Sequence, residues 1–316
     1  AFGLYGPLLK KRFEKSVAKE SNPFVFLNNA LYEEGLFLYV APHQKLKTPL
    51  ELVFIQTDAT VASSPKIDLF LGKESELTLL SSSIQKEKIE AWSNSAMHIT
   101  LEEGSKLTHV NDTSGVKTGM SLQALRAELK KESMLKNFVF SASASPLRHD
   151  LQVFLTGENA KAELNGLHLT KEKGQAHTHI LVQHAAPHTQ SFQRYKAVVE
   201  NRARAHFCGK IYVEKEAQKT DAYQLNNMLL LGKNAKGMSQ PQLEIFADDV
   251  KASHGATCAR PSAEELFYLR ARGLSATDAN EQLVKAFCKE LIEDHVYAPL
   301  KKHFKGLIEE FLQKGR

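Results

Sequence analysis

Asp248, Asp249 and His254 stand close together in the stretch Gln242-Leu-Glu-Ile-Phe-Ala-Asp-Asp-Val-Lys-Ala-Ser-His-Gly-Ala-Thr257, and Phe267-Tyr-Leu-Arg-Ala-Arg-Gly273 follows soon after. An imidazole is a competent transition-metal ligand. Two carboxylates do acid/base work together only when they share a site. Adjacent on a strand, Asp248 and Asp249 point to opposite faces, which leaves them a structural or interface role. A second polar group, His177, His179, His184 and His188, has the look of a metal cluster, because His177 and His179 project from one strand face. Ala185-Ala-Pro187 interrupts that geometry and no Cys or Asp lies nearby in sequence, so a hydrogen-bonded polar face is expected there, with no stable metal site.

Cys208, Cys258 and Cys288 are the three thiols of the chain. They form no Cys-x-x-Cys and no disulfide framework, which fits a reducing cytoplasm. Three scattered thiols also fall short of the usual four-thiolate ligation of an iron–sulfur cluster, so any such cluster would need ligands from another chain. Gly115-Val-Lys-Thr-Gly119 and Gly232-Lys-Asn-Ala-Lys-Gly237 do not match the phosphate-cradling pattern of a nucleotide-binding loop, and neither a G-x-S-x-G elbow nor an H-E-x-x-H motif occurs.

The elements that must carry these residues are read from periodicity. Residues 7–20 are charged and helix-compatible, giving an N-terminal helical remnant over 1–23. From about residue 24 the chain breaks into short apolar runs: Leu36–Val40, Leu50–Ile55, Ile67–Leu71, Met97–Leu101, Leu151–Leu155, His179–Val182 and His206–Val213. Each is bounded by Gly, Asn, Asp, Ser or Lys-Glu clusters, as strands are. Only Leu122–Leu129, with Gln123, Ala124, Arg126 and Glu128, offers helix formers in between.

The turns recur in a degenerate way (Gly72-Lys-Glu-Ser, Gly104-Ser-Lys-Leu, Gly157-Glu-Asn-Ala, Glu200-Asn-Arg-Ala, Gly232-Lys-Asn-Ala). Many short strands with no crossover helices suggest a sandwich or a β-solenoid. The solenoid is preferred because each rung stacks on the next and buries a face it could not bury alone. Its core spans 24–256. Residues 257–316 read as helices, with capping pairs Ser262/Glu265 and Ser275/Asp278, a stop at Gly273, and apolar stripes Val284-Phe287-Cys288-Leu291 and Leu300-Phe304-Leu307-Ile308-Phe311-Leu312. Those stripes need cover, part from the solenoid end and part from a partner.

With 316 residues and 42% hydrophobic content the chain can bury a large core. A net charge of +5, spread over 41 basic and 36 acidic residues, offers no stripe for nucleic acid. No apolar stretch approaches a membrane span, and Ala1-Phe-Gly-Leu-Tyr5 lacks a signal-peptide layout, so a cytoplasmic location is expected.

A series of motifs then carries a resemblance: Ala162-Glu-Leu-Asn-Gly-Leu-His-Leu169, Val182-Gln-His-Ala-Ala-Pro-His-Thr-Gln-Ser191, Tyr195-Lys196, Phe207-Cys-Gly-Lys-Ile211, Ala247-Asp-Asp-Val250, Ser253-His-Gly-Ala-Thr257 and Phe267-Tyr-Leu-x-x-Arg-Gly273. In this order they resemble the Suf iron–sulfur cluster assembly scaffold family, SufB/SufD, and within it the SufD branch. The resemblance implies a right-handed parallel β-helix with a C-terminal α-helical domain that docks the ATPase. It also implies a non-catalytic scaffold in a SufBCD-type complex with a SufB-like paralogue and a SufC-like ABC ATPase, and a homodimer when isolated. By motif, His254 is the residue that faces the essential cysteine of the SufB-like paralogue, as a transient ligand of an iron–sulfur cluster shared between the two chains. That cysteine falls where this sequence has Leu269, which points to the SufD branch.

Asp248, Asp249, Val250, Ser253, Phe267, Tyr268 and Arg272 are the implied partner interface. Two departures stand out: Ala252 replaces a frequent cysteine, and Cys258 is an additional thiol, a second candidate cluster-binding residue. The rival readings are a solenoid carbohydrate-active enzyme, which needs carboxylates stacked on neighbouring coils, and a structural homodimeric solenoid.

Overall fold

In the computed structural model, residues 20–33, 35–58, 62–86 and 89–313 are described, with Gly6 and Lys10 upstream; the helix expected over 7–20 therefore lies outside the described residues except at Lys10 and Glu20. Sixteen strands follow one another: β1 (Gly35–Val40), β2 (Leu50–Gln56), β3 (Lys66–Leu71), β4 (Glu76–Gln85), β5 (Ala91–Leu101), β6 (Lys106–Gly115), β7 (Gly119–Leu129), β8 (Met134–Ser143), β9 (Leu147–Leu155), β10 (Lys161–Thr170), β11 (Gln175–His184), β12 (Gln190–Glu200), β13 (Arg204–Val213), β14 (Asp221–Leu231), β15 (Lys236–Ile245) and β16 (Lys251–Ala259). Odd strands form one eight-stranded sheet in the order β1-β3-β5-β7-β9-β11-β13-β15, and even strands form the other, from β2 to β16. Every pairing is parallel. The chain is a β-solenoid, two strands to a coil.

Two features specify the coil. Inward side chains of both sheets meet in an apolar lumen built on Leu69, Leu79, Leu101, Leu129, Leu155, Leu164, Val182 and Phe207. At one corner the chain turns through a left-handed residue in each successive coil: His43, Glu74, Gly104, Glu132, Asn159, His188 and Lys219. Each donates its backbone N–H to a carbonyl of the coil above, as in Glu74 N to Glu103 O at 2.8 Å, Glu132 N to Glu158 O at 2.9 Å and Lys219 N to Asp249 O at 2.6 Å. The hydrogen bond serves the backbone, so the residue type at this corner is free to vary. That is why the sequence repeat is degenerate.

Two segments differ from the sequence expectation. Leu122–Leu129 is not helical but lies in β7, where Leu125, Ala127 and Leu129 alternate into the lumen between β5 and β9; tertiary pairing overrides its helix propensity. Pro23–Leu31, placed within the strand region, is helix α1, with Asn22 capping Phe24 N and the proline in the first turn. It packs on the outer face of β5 and β7, where Asn28 donates to Asn94 O at 2.7 Å.

After β16 come α2 (Ala263–Ala271), α3 (Ala276–His295), a short 3-10 turn and α4 (Lys301–Gln313). Ser262 and Glu265 form the expected capping box, Gly273 stops the helix at φ 92°, and Ser275 caps α3. The stripes of α3 and α4 are covered, and not by the solenoid end. Val284, Cys288, Leu291, Ile292, Phe304, Ile308 and Phe311 form one core with Val110, Phe138, Phe140, Leu167, Leu169 and Val198 on the outer face of the even-strand sheet. Phe304 stacks on Phe140 at 4.6 Å between ring centroids. β6, β8, β10 and β12 carry apolar residues on their outer faces as well, so they supply a flank the helices can lie on.

Candidate functional site: the open end of the solenoid

β15 pairs only with β13 and β16 only with β14, so both terminal strands present one unpaired edge among the described strands. An unpaired edge offers rows of backbone donors and acceptors to a second chain. Register fixes which side chains stand there. Ala252, His254, Ala256 and Cys258 of β16 align with Ala222, Gln224, Asn226 and Met228 of β14, which point into the lumen. His254 and Cys258 therefore sit on the inner face of the last coil, yet both are exposed because no further coil covers them.

Polar groups underlie His254. Gln224 donates to Gln193 Oε1 at 2.8 Å, and the remaining amide atoms, Gln224 Oε1 and Gln193 Nε2, are buried without a partner among the described residues. Cys258 lies over Gly237: a Cβ there would come within 2.6 Å of its Sγ and 2.8 Å of Met228 Sδ, so only glycine leaves room for the two sulfurs. Partial burial pushes the Cys258 thiol pKa up, against the opposing effect of a hydrogen bond from the Gly237 backbone. His254 and Cys258 lie four residue steps apart along the strand, roughly 13 Å. They cannot bind one metal ion together, and each would need ligands from elsewhere.

The remaining expected interface residues line this end without gathering into one pocket. Asp248 and Asp249 lie in the bend before β16 and not on a strand, which corrects the expectation of opposite-facing strand carboxylates. The bend arises because this is the last rung of the corner ladder: Asp249 pairs with Lys219, and its N–H donates to Gln218 Oε1 at 3.0 Å. Val250 packs against the small core of Ile211, Val213 and Ala217, whereas Ser253 is exposed. Phe267 and Tyr268 stand on α2, 75% and 57% exposed, with Arg272 donating to Tyr268 Oη at 3.1 Å. The whole length of β16, roughly 26 Å, separates the bend from α2. Sequence reasoning missed Met238 and Phe246, large exposed apolar residues on and beside β15. Only the edge position of β15 marks them out, and periodicity does not reveal an edge.

Comparison with known proteins fits this architecture. The SufBD core domain of the SUF system for FeS cluster assembly matches residues 54–287. The chain belongs to the SufBD family. It is 29% identical over 287 residues to an iron–sulfur cluster assembly SufBD family protein of Synechocystis, covering 88% of this chain and 63% of that protein. It is 41% identical over 154 residues to the iron–sulfur cluster assembly protein SufD of Escherichia coli, covering 49% of this chain and 36% of that one. A chloroplastic Arabidopsis protein, ABCI7, is 27% identical over 329 residues, covering 97% and 68% respectively. The chain thus spans less than two thirds of the length of the first two relatives.

In this SufBD chain the four histidines at 177–188 separate. His184 turns inward and bonds Thr189 Oγ1 and Ser191 Oγ, both at 2.8 Å, and burial lowers its pKa to about 3. His188 occupies the left-handed corner. His177 and His179 stay on the outer face of β11, half-buried, beside His206 of β13. As the side chains lie, no group of three His, Cys, Asp or Glu among the described residues is arranged to hold a metal ion.

The lumen holds three further histidines that sequence reading did not single out. His109 bonds Ser81 and Asn137, His168 bonds Ser141 and Thr178, and neither nitrogen of His149 has a partner among the described residues. Desolvation lowers their pKa values, to about 4 for His109 and His149 and about 3 for His168. No described helix is long and apolar enough to cross a membrane.

Proposed function

We propose that the chain is a SufD-like, non-catalytic scaffold component of a cytosolic SufBCD-type complex for iron–sulfur cluster assembly. It pairs through β15 and β16 with a SufB-like paralogue and binds a SufC-like ABC ATPase through its helical tail. The observation that carries this reading is a lumen-facing histidine, His254, exposed on a terminal strand with one unpaired edge. A thiolate and one imidazole are a known type of ligand set for iron–sulfur sites. A site split between two chains opens when they move, which suits a scaffold that must release its product. An ATPase supplies that motion by binding the open and closed states with different affinity.

The SufD-like assignment is supported by the match to Escherichia coli SufD and by Leu269 at the position the resemblance gives to the SufB cysteine. Asp248 and Asp249, the carboxylates on which the carbohydrate-active reading rested, occupy one bend and not a groove of stacked coils. Because the apolar stripes of α3 and α4 are covered by the even-strand sheet, α2, which has no buried residue, is the tail element with surface to spare for a partner.

The test is co-expression with a SufB-like paralogue and a SufC-like ATPase, followed by anaerobic purification and measurement of iron and visible absorbance. His254→Ala is expected to leave the complex intact at an unchanged thermal midpoint while cluster absorbance falls. Wild-type cluster formation by an intact His254→Ala complex removes His254 as a ligand. Failure of the three chains to co-purify removes the scaffold reading itself.

A further inference from the structure

The outer face of the odd-strand sheet carries a group that the proposed function does not use. β11 and β13 are locked in parallel register, which sets His177 beside His206 and His179 beside Cys208. All four side chains point outward and are half-buried. They occupy the corners of a rectangle, about 4.8 Å across the strands and about 6.6 Å along them. The His206 ring stands edge-on to both imidazoles of β11, with centroids 5.8 Å from His177 and 5.5 Å from His179.

Two imidazoles on one tetrahedral ion, at nitrogen–metal distances of about 2.0–2.1 Å, place their ring centroids roughly 5 Å apart. The observed separations lie within an ångström of that. The outer hydrogen bonds are also of the kind that support metal ligands. His206 Nε2 bonds Gln240 Oε1 at 3.0 Å, and His177 Nε2 bonds Gln175 Oε1 at 3.1 Å. With the glutamine oxygens accepting, each Nε2 carries the proton and each Nδ1 keeps its lone pair, the arrangement of a histidine oriented by its second ring nitrogen. Arg148, which pairs in register with His177 from β9, is engaged by Asp150 at 2.9 Å.

We propose that His177, His179, His206 and Cys208 form a binding site for a divalent transition-metal ion of the zinc class, closed by side-chain rotation on a fixed backbone. Three imidazoles and one thiolate are a complete tetrahedral set of borderline-soft donors. Binding converts the Cys208 thiol to thiolate, its proton leaving to solvent, so affinity rises with pH. The site stands on the side wall of the solenoid, and only its supporting Gln240 lies on β15, a strand of the open end.

Cobalt(II) is the probe, because tetrahedral coordination gives intense visible bands and a thiolate ligand adds a charge-transfer band. Titration of the full chain near neutral pH is expected to give one tetrahedral ion per chain, displaced by zinc. His206→Gln should abolish the visible bands, Cys208→Ser should remove the charge-transfer band, and Gln240→Ala should weaken affinity about tenfold. Zinc should raise the melting temperature of the wild type but not of His206→Gln, whose far-UV circular dichroism reports whether it is folded. The proposal is overturned by an octahedral or absent cobalt spectrum, by bands that survive both His206→Gln and Cys208→Ser, or by bands lost instead in His254→Ala or Cys258→Ser.

Discussion

The middle coils and the last coil share a backbone and differ in what lies next to them. β11, and β13 after its exposed first residue Arg204, alternate between buried and half-buried, whereas no residue of β15 or β16 is fully buried. The side chains are of similar kinds: Leu243 and Ile245 continue the rows of Ile211 and Val213. What differs is the next coil, which is present in one case and missing in the other. In a solenoid, burial is a property of the neighbour as much as of the residue. A terminal coil that keeps a repeat-like sequence without a covering coil is therefore a surface suited to a partner.

The largest expected effect separates the two regions by pH. Burial holds the folded-state pKa values of His109, His149 and His168 below the ordinary value of 6.5. The unfolded chain then binds more protons between pH 6.5 and about 4, so the stability these groups contribute is complete above pH 6.5 and is lost as pH falls toward 4. At about 1.4 kcal/mol per pKa unit, the combined loss is on the order of 10 kcal/mol. Urea midpoints should fall steeply across this range, with hydrogen exchange rising first in β6, β8, β9 and β10. A flat profile would show that hydrated or charged histidines are tolerated in the lumen.

A substitution pair tests the same contrast in the apolar rows. Leu164→Ala, fully buried in β10, should cost about 2–5 kcal/mol, whereas Leu243→Ala, half-covered in β15, should cost under about 1.5 kcal/mol. Equal losses by chemical denaturation would mean that the last coil is as well supported as the middle ones. Glycine positions make a finer comparison. A Cβ at Gly166 would lie 2.4 Å from the buried Tyr195 ring, and Gly166→Ala should cost about 1–3 kcal/mol. At Gly237 a Cβ would meet the ends of three side chains that can shift, Cys258 Sγ, Met228 Sδ and Leu230 Cδ2, so Gly237→Ala should cost less than Gly166→Ala while Cys258 labels faster with a thiol reagent. The smallest effect belongs to the tail. Ser262→Ala removes the capping box and should weaken α2 by about 1 kcal/mol, visible as faster exchange over 263–271 with an unchanged solenoid midpoint.

Much of this architecture was legible in the sequence, and unevenly so. All seven apolar runs read as strands are strands, and all but Leu50–Ile55 lie in the odd-strand sheet. Much of that sheet keeps one face exposed, so its strands alternate plainly. The middle even strands, β6, β8, β10 and β12, are buried on both faces beneath α3 and α4, and their inward faces carry His109, Asn137 and His168, which blurs any period. Capping residues declared the tail helices because a cap is a local hydrogen bond. The place where the tail docks depends on a flank assembled from Val110, Phe138, Leu167 and Val198, residues far apart in the chain. His254 was legible as a candidate, and its inward direction was not, because direction comes from register with Gln224.

The unpaired rim formed by β15 and β16 also bears on how many chains can assemble. Two rods meeting rim to rim about a twofold axis use up both rims, and growth stops at two. A rod that meets its neighbour head to tail always leaves a rim free, and growth continues into a fibre. The mass of the assembly in solution, with no further structural detail, therefore reports which way round the partner sits.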